Sequence, residues 1–149
     1  MKTSKITILT IMVMALSGAA SAQKLNASTY IEKTHISPKI GTSLGVIFQS
    51  NIEVGGFYQQ SADPIEREYG RPLMEEREFY GVFFAYPVIG SNKANVKLNV
   101  RTGVSNNENF VITPGLLANY SPVKQVTVSG GVGTRAFRPT LLAGVKINL

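Results

Sequence analysis

Apolar and polar residues alternate one by one through most of this sequence. That is the signature of β-strands whose two faces meet different surroundings. Over residues 39–49, Ile40, Leu44, Val46 and Phe48 share one face, and Gly41, Ser43, Gly45 and Gln49 the other. Over 51–60, Ile52, Val54 and Tyr58 oppose Asn51, Glu53, Gly55 and Gln59. Over 79–88, Tyr80, Val82, Phe84, Tyr86 and Val88 lie together. The clearest run is 94–104, where Ala94, Val96, Leu98, Val100 and Val104 alternate with Asn95, Lys97, Asn99, Arg101 and Gly103. The pattern continues through 110–120, 126–135 and 140–149, with Pro114 on the apolar face of the first of these. A proline there removes one backbone donor and predicts a local irregularity. A weaker strand is predicted over 28–36, its faces unassigned. No long segment carries a helical period.

Eight strands of about ten residues match the length needed to cross an outer membrane obliquely, and exceed the usual globular strand. The predicted links alternate in kind. Those at Ser50-Asn51, 89–93 and 121–125 are short. The link over 61–76 is long and charged, with Asp63, Glu66, Arg67, Glu68, Arg71, Glu75 and Glu76. Short turns at one rim and a longer loop at the other form the outer-membrane pattern. With an even strand number both termini fall at the short-turn rim, the periplasmic one. The other outer loops, near Ser37-Pro38, Asn106-Asn107 and Phe137-Arg138, are brief.

Alternation does not say which face points outward. A soluble ligand-binding barrel turns its apolar face to the lumen, and a membrane barrel reverses this. Two features favour the reversal. The polar face is poor in charge and rich in Gly, Ser, Thr and Asn, as a narrow lumen requires. Large aromatics on the apolar face cluster at strand ends. Threading the strands up and down puts Phe48, Tyr86 and Tyr120 at the inner rim and Tyr58, Tyr80 and Phe110 at the outer. These are the two girdles expected where a ring is apolar at one end and wet at the other.

The start of the chain reads as an export signal. Lys2 and Lys5 precede an apolar run over 6–16, and Ala20-Ser21-Ala22 offers small residues at cleavage spacing. The expected organisation is a signal peptide over 1–22 and one barrel domain over 23–149. No Cys follows the apolar run, which argues against lipid modification there. The chain has 149 residues, with 15 Lys and Arg against 9 Asp and Glu. Losing Lys2 and Lys5 leaves 13 basic residues, a net charge near +4, too mild to call for nucleic acid. The absence of cysteine rules out a disulfide scaffold.

The export signal, the hairpin over 39–60 with its Ile52-Glu53-Val54-Gly55-Gly56-Phe57-Tyr58 arm, and the alternating C-terminal strand together resemble the small outer-membrane β-barrels of the OmpX and OmpA-domain type. The resemblance spans the chain after the leader. It implies an eight-stranded antiparallel up-and-down transmembrane β-barrel in the outer membrane of a Gram-negative cell. It also implies lipid, lipopolysaccharide and the barrel-assembly machinery as partners. Such barrels usually end in Phe or Trp, whereas this chain ends in Leu149.

The predicted lumen face carries Glu53, Lys97, Arg101, Arg135 and Lys146. Threading puts Glu53, Lys97 and Lys146 in the inner half and Arg101 and Arg135 higher. An internal salt-bridge network is favoured over an anion pocket, because eight strands leave little room and an unpaired buried charge is costly. Basic groups outnumber acidic ones on this face, and water, or a carboxylate of the weak first strand such as Glu32, is a candidate to compensate. His35 is the only histidine, so a three-ligand metal site is not expected. The His35-Ile36-Ser37 triplet is similar to the His-x-Ser pair of outer-membrane lipid A deacylases, with Glu32 as an orienting acid. A rim histidine beside an ordinary turn is the favoured reading. The Gly130-Gly131-Val132-Gly133 run lies within a strand pattern, not at a phosphate-binding turn. The expected function is structural, envelope-stabilising or surface-interacting, by a non-enzymatic monomer without cofactors. A lumen-ligand-binding or soluble periplasmic barrel, and a lipid A-modifying hydrolase, are the alternatives.

Overall fold

The computed structural model describes residues 22–34, 37–48, 50–62, 78–91, 93–106, 109–135 and 137–149. The leader up to residue 21, His35, and the segment 63–77 with Arg67, Arg71 and Arg77 lie outside the described residues. Eight strands follow in order: β1 (Ala22–Lys33), β2 (Pro38–Phe48), β3 (Glu53–Ser61), β4 (Glu78–Gly90), β5 (Ala94–Ser105), β6 (Asn109–Val123), β7 (Val126–Arg135) and β8 (Arg138–Asn148). Each pairs antiparallel with its neighbours in sequence, and β1 pairs with β8, closing the barrel. Closure removes the sheet edges that an open sheet would leave unpaired.

Seven of the eight strands fall within a few residues of their predicted spans. The first departs most: it starts at Ala22, not 28, and stops at Lys33, not 36. Its own alternation is poor, but ladders on both sides hold it extended, to β2 from Ala22–Phe48 to Lys33–Pro38 and to β8 from Asn26–Asn148 to Lys33–Leu141. Pairing also decides its faces. Asn26, Tyr30 and Glu32 are buried, while Leu25 and Ile31 lie outside.

The turns at one rim are tight. After β2, the Asn51 N–H donates to the Phe48 carbonyl at 2.9 Å and the Phe48 N–H to the Ile52 carbonyl at 2.9 Å. Asn51 takes φ 59°, a left-handed conformation that asparagine tolerates. Residues 91–93 and 124–125 make the other two links. At the opposite rim the links span 34–37, 62–77, 106–108 and 136–137, so the long one is the charged segment the sequence singled out.

Pro114 does not shift the β5–β6 ladder, which runs through Val100–Pro114 without a break. Its effect falls on the other side, where pairing of β6 with β7 starts only at Gly115–Gly133. The register shifts lie elsewhere, between Ala22 and Lys24, at Pro87–Ile89, and between Tyr120 and Val123, which flank Pro122. Two of these three shifts fall at prolines near the inner rim, where a lost donor faces the strand end.

The strands are strongly staggered. Lateral partners run Ile47, Glu53, Ala85, Asn99, Gly115, Gly133 and Thr140 across β2 to β8. The row begins near the inner end of β2 and finishes near the outer end of β8. That climb is the tilt a closed barrel requires, and it brings side chains from distant strands to one level across the lumen.

The outer wall is apolar and exposed: Ile31, Leu44, Val82, Phe84, Ile112, Leu116, Val132, Leu141 and Val145 all project from it. The inside holds most of the buried polar groups, among them Glu32, Glu53, Gln59, Lys97, Arg101 and Arg135. This is the reverse of a water-soluble domain.

Candidate functional site

The lumen contains two ion clusters, each organised by one carboxylate. In the inner half, Glu53 Oε2 accepts from Lys146 Nζ at 2.5 Å and from Lys97 Nζ at 3.4 Å. Lys97 Nζ also donates to the Asn51 carbonyl at 3.2 Å, tying β5 to the β2–β3 turn. Toward the outer half, Glu32 Oε2 meets Arg101 Nη2 at 3.1 Å, Arg135 Nη1 at 3.4 Å and Gln59 Nε2 at 2.7 Å. Arg101 and Arg135 donate to the Gln59 side-chain oxygen Oε1 at 3.4 and 3.5 Å. All five predicted lumen residues therefore point inward. They sort into the two levels the threading assigned, with Glu32 as the compensating acid. Glu32 is 0% exposed and Glu53 2%, so both charges depend on these partners.

The sequence reading missed the aromatic filling of the lumen. Phe57, Phe79 and Phe83 are buried together, with Val111 packed against them. The Phe57 and Phe79 rings meet edge to face, with centroids 4.7 Å apart. The guanidinium of Arg135 lies over Phe79 at 4.3 Å, and that of Arg101 over Tyr30 at 5.3 Å, which suits cations withdrawn from water. Parity carried the signal: Phe57 falls on the same face as Glu53 and Gly55. Two glycine positions make the space. The Phe83 ring seats against Gly55, where an added Cβ would lie 2.6 Å from Phe83 Cε1. The Tyr30 ring lies across Gly41 in the same way, with its Cε2 2.6 Å from such a Cβ and Cζ nearer still. A lumen of small residues alone is thus corrected to one in which glycines receive the aromatic rings of their lateral partners on the next strand.

Between the two clusters lies a cavity of about 60 Å³, bounded by Ser28, Ser43, Glu53, Phe83, Arg101 and Lys146 among others. Below the Glu53 cluster the barrel opens into an inner vestibule of about 630 Å³. The described lumen is therefore crossed by two layers, one of charge alone and one of charge boxed by aromatic rings.

Outside, Tyr58, Tyr80, Val104 and Phe110 are successive lateral partners across β3 to β6, a single row near the outer rim. Tyr58 Oη donates to Glu78 Oε1 at 3.4 Å. Phe48, Tyr86 and Tyr120 sit toward the inner rim, and the two tyrosines are well exposed. Of the deacylase-like groups, His35 lies outside the described residues. Ser37 is buried, with its hydroxyl 3.1 Å from the Ser61 hydroxyl, and Glu32 is held in the lumen by its arginines. Among the described residues no cluster of three His, Cys, Asp or Glu side chains could hold a metal.

A designed transmembrane β-barrel superposes with a TM-score of 0.69 over 86% of this chain and 97% of its own, at 8% identity. The N-terminal barrel domain of Pseudomonas aeruginosa OprF matches at 0.60, covering 86% and 98% at 11% identity. The fold is that of the small outer-membrane barrels. Yersinia pestis Ail, determined in a phospholipid bilayer nanodisc, matches at 0.57, covering 85% and 99% at 10% identity. No family model matches the sequence, and no curated protein matches it significantly. At these identities the likeness is one of architecture.

Proposed function

We propose that this chain is an integral outer-membrane protein, exported through a cleaved leader over 1–22, that serves the envelope as a filled, monomeric barrel. The observation that carries this reading is the inverted polarity. Two carboxylates and their cations are buried inside, and aliphatic side chains cover the outside. In water that outer wall would be a continuous apolar surface far larger than soluble monomers expose. In a bilayer it is the wall a transmembrane barrel requires. A soluble ligand-binding barrel needs the opposite arrangement.

The rim aromatics fit interfacial girdles at the two leaflet surfaces, outer Tyr58, Tyr80 and Phe110 and inner Phe48, Tyr86 and Tyr120. A filled lumen fits a role in stabilising the membrane or presenting the segment 62–77, not in transport. Lipid and lipopolysaccharide are the natural outer contacts, and the barrel-assembly machinery the natural route of insertion. The test is electrophoretic mobility after refolding in detergent. The unheated barrel is expected to run apart from the boiled chain and to show β-rich circular dichroism. A chain that stays soluble and monomeric without detergent overturns the reading.

A further inference from the structure

The register shifts among the described strands all fall at the inner rim: between Ala22 and Lys24, between Pro87 and Ile89, and between Tyr120 and Val123. Each gives one strand an extra residue over its partner, as a β-bulge does, and bulges at barrel rims end pairing or re-aim side chains. Each is met along the chain by an exposed lysine: Lys24 closes the first, Lys93 sits in the turn after the second, and Lys124 directly follows the third. The backbone at two of these lysines is fixed by neighbouring strands. The Ser121 N–H donates to the Lys93 carbonyl at 2.8 Å, and Asn148 Nδ2 donates to the Lys124 carbonyl at 3.1 Å. None of the three ammonium groups makes an ion pair among the described residues.

Two hairpin feet repeat one order. Going inward, β4 and its turn read Tyr86, Ile89, Lys93, and β6 and its turn read Tyr120, Val123, Lys124. Ile89 is 70% exposed and Val123 53%, so the apolar wall continues past the rim tyrosines and ends on a cation. A lysine stem follows such a wall while its ammonium reaches the headgroup level. Charge divides between the rims in the sequence as well. Every acid except Glu32 and Glu53 lies between Asp63 and Glu78 or at Glu108, on the outer links or the strand end beside them. The outer rim therefore mixes signs, since it also carries Lys33 and Arg138. The inner turns and the start of β1 hold no Asp or Glu. Above them Glu53 is shared by Lys97 and Lys146, which leaves that cluster net positive, so it does not offset the rim.

We propose that the inner rim is a docking surface for anionic phospholipid headgroups, of the phosphatidylglycerol type, in the leaflet it faces. Charge alone separates that partner from a zwitterionic phospholipid, and charge is what a ring of lysines reads. The exposed Ile89 and Val123 separate it from a soluble anion, which has no acyl chain to lay against them. The proposal rests on the membrane reading above.

The test is electron spin resonance of the barrel in phosphatidylcholine vesicles doped with spin-labelled phosphatidylglycerol or spin-labelled phosphatidylcholine. The motionally restricted signal reports lipid held against the protein. At low salt the labelled phosphatidylglycerol is expected to be held about threefold more strongly, and the preference should vanish near about 0.5 M NaCl. Lys24→Gln, Lys93→Gln and Lys124→Gln combined are expected to bring the ratio to about one, whereas Lys33→Gln with Arg138→Gln at the outer rim should leave it unchanged. Gel mobility checks that each variant is folded. A second measurement needs no variant: in lipid nanodiscs, headgroup-labelled phosphatidylglycerol should broaden the backbone amides of Lys93 and Lys124 more than labelled phosphatidylcholine does, with no such difference at Lys33 and Arg138. An inserted barrel without the preference, a preference that survives the triple substitution or high salt, or one lost with the outer-rim pair overturns the proposal and leaves the membrane reading standing. A chain that enters neither micelles nor phosphatidylcholine vesicles overturns both.

Discussion

Replacing Glu32 with Gln removes the carboxylate that, among the described residues, holds Arg101 and Arg135 together. The change nearly preserves volume, so its cost is electrostatic rather than a cavity. The two ion pairs, at 3.1 and 3.4 Å, have a gross attraction of about 5 kcal/mol each at an effective dielectric of about 20. Desolvation offsets much of that in the intact cluster. Once the acid is gone, both guanidiniums stay buried, repel each other and lose the charge that Glu32 supplies. Breaking a buried pair by removing one partner costs about 3–5 kcal/mol, and the 0% exposure of Glu32 puts this site in that regime. The assay is urea unfolding in phospholipid vesicles, with the folded fraction read by gel mobility and circular dichroism. Tyrosine fluorescence serves as a second probe, since the chain has no tryptophan. Adding Arg101→Met removes one stranded cation, so the double variant should be more stable than the sum of the single losses by about 1 kcal/mol or more. A Glu32→Gln variant within about 0.5 kcal/mol of the parent would refute the reasoning, because it would mean the cluster is solvated or its partners are not those seen.

Other outcomes follow from the same geometry. Val100→Arg, on the outer face between the lateral partners Phe84 and Pro114, is expected to cost about 2–4 kcal/mol in vesicles if it sits near the bilayer midplane; a neutral result would count against a lipid-facing wall. Gly41→Ala places a Cβ against the Tyr30 ring and is expected to cost about 1–3 kcal/mol in the same unfolding assay. Tyr30→Leu in the Gly41→Ala background should recover part of that loss, and its failure to do so would show that the ring is not what the methyl meets. Planar-bilayer recordings of the purified barrel are expected to show no sustained unit conductance, since two side-chain layers cross the lumen; discrete long-lived openings would contradict this.

Much of the architecture was legible before any coordinates. The side-chain period of a strand is a property of the local backbone, so Ala94 to Val104 announced both of its faces without help from neighbours. Turn residues such as Asn51 and the long charged segment marked the two rims for similarly local reasons. Closure of eight strands followed from their number, length and outer apolar face. The inward direction of Glu53, Lys97, Arg101, Arg135 and Lys146 followed from the same parity.

What the chain could not announce is how those inward groups meet. Glu53 on β3 joins Lys97 on β5 and Lys146 on β8, whereas Glu32 on β1 joins Gln59, Arg101 and Arg135. None of these acid–cation pairs involves adjacent strands. Their level is set by the stagger of the closed sheet, which the alternation along any one strand does not contain. The first strand shows the same division. Its sequence is a poor strand by itself, and ladders to β2 and β8 decide where it starts and that Tyr30 and Glu32 face inward. The aromatic filling belongs there too: the Phe83 ring reaches the Phe57 and Phe79 cluster over Gly55, its lateral partner on the next strand. Sequence alone determined the strands and their two chemistries, because the period of a strand is local. Tertiary structure decided which charges pair, which rings fill the lumen and where chambers remain, because closure and stagger place residues from distant strands at one height.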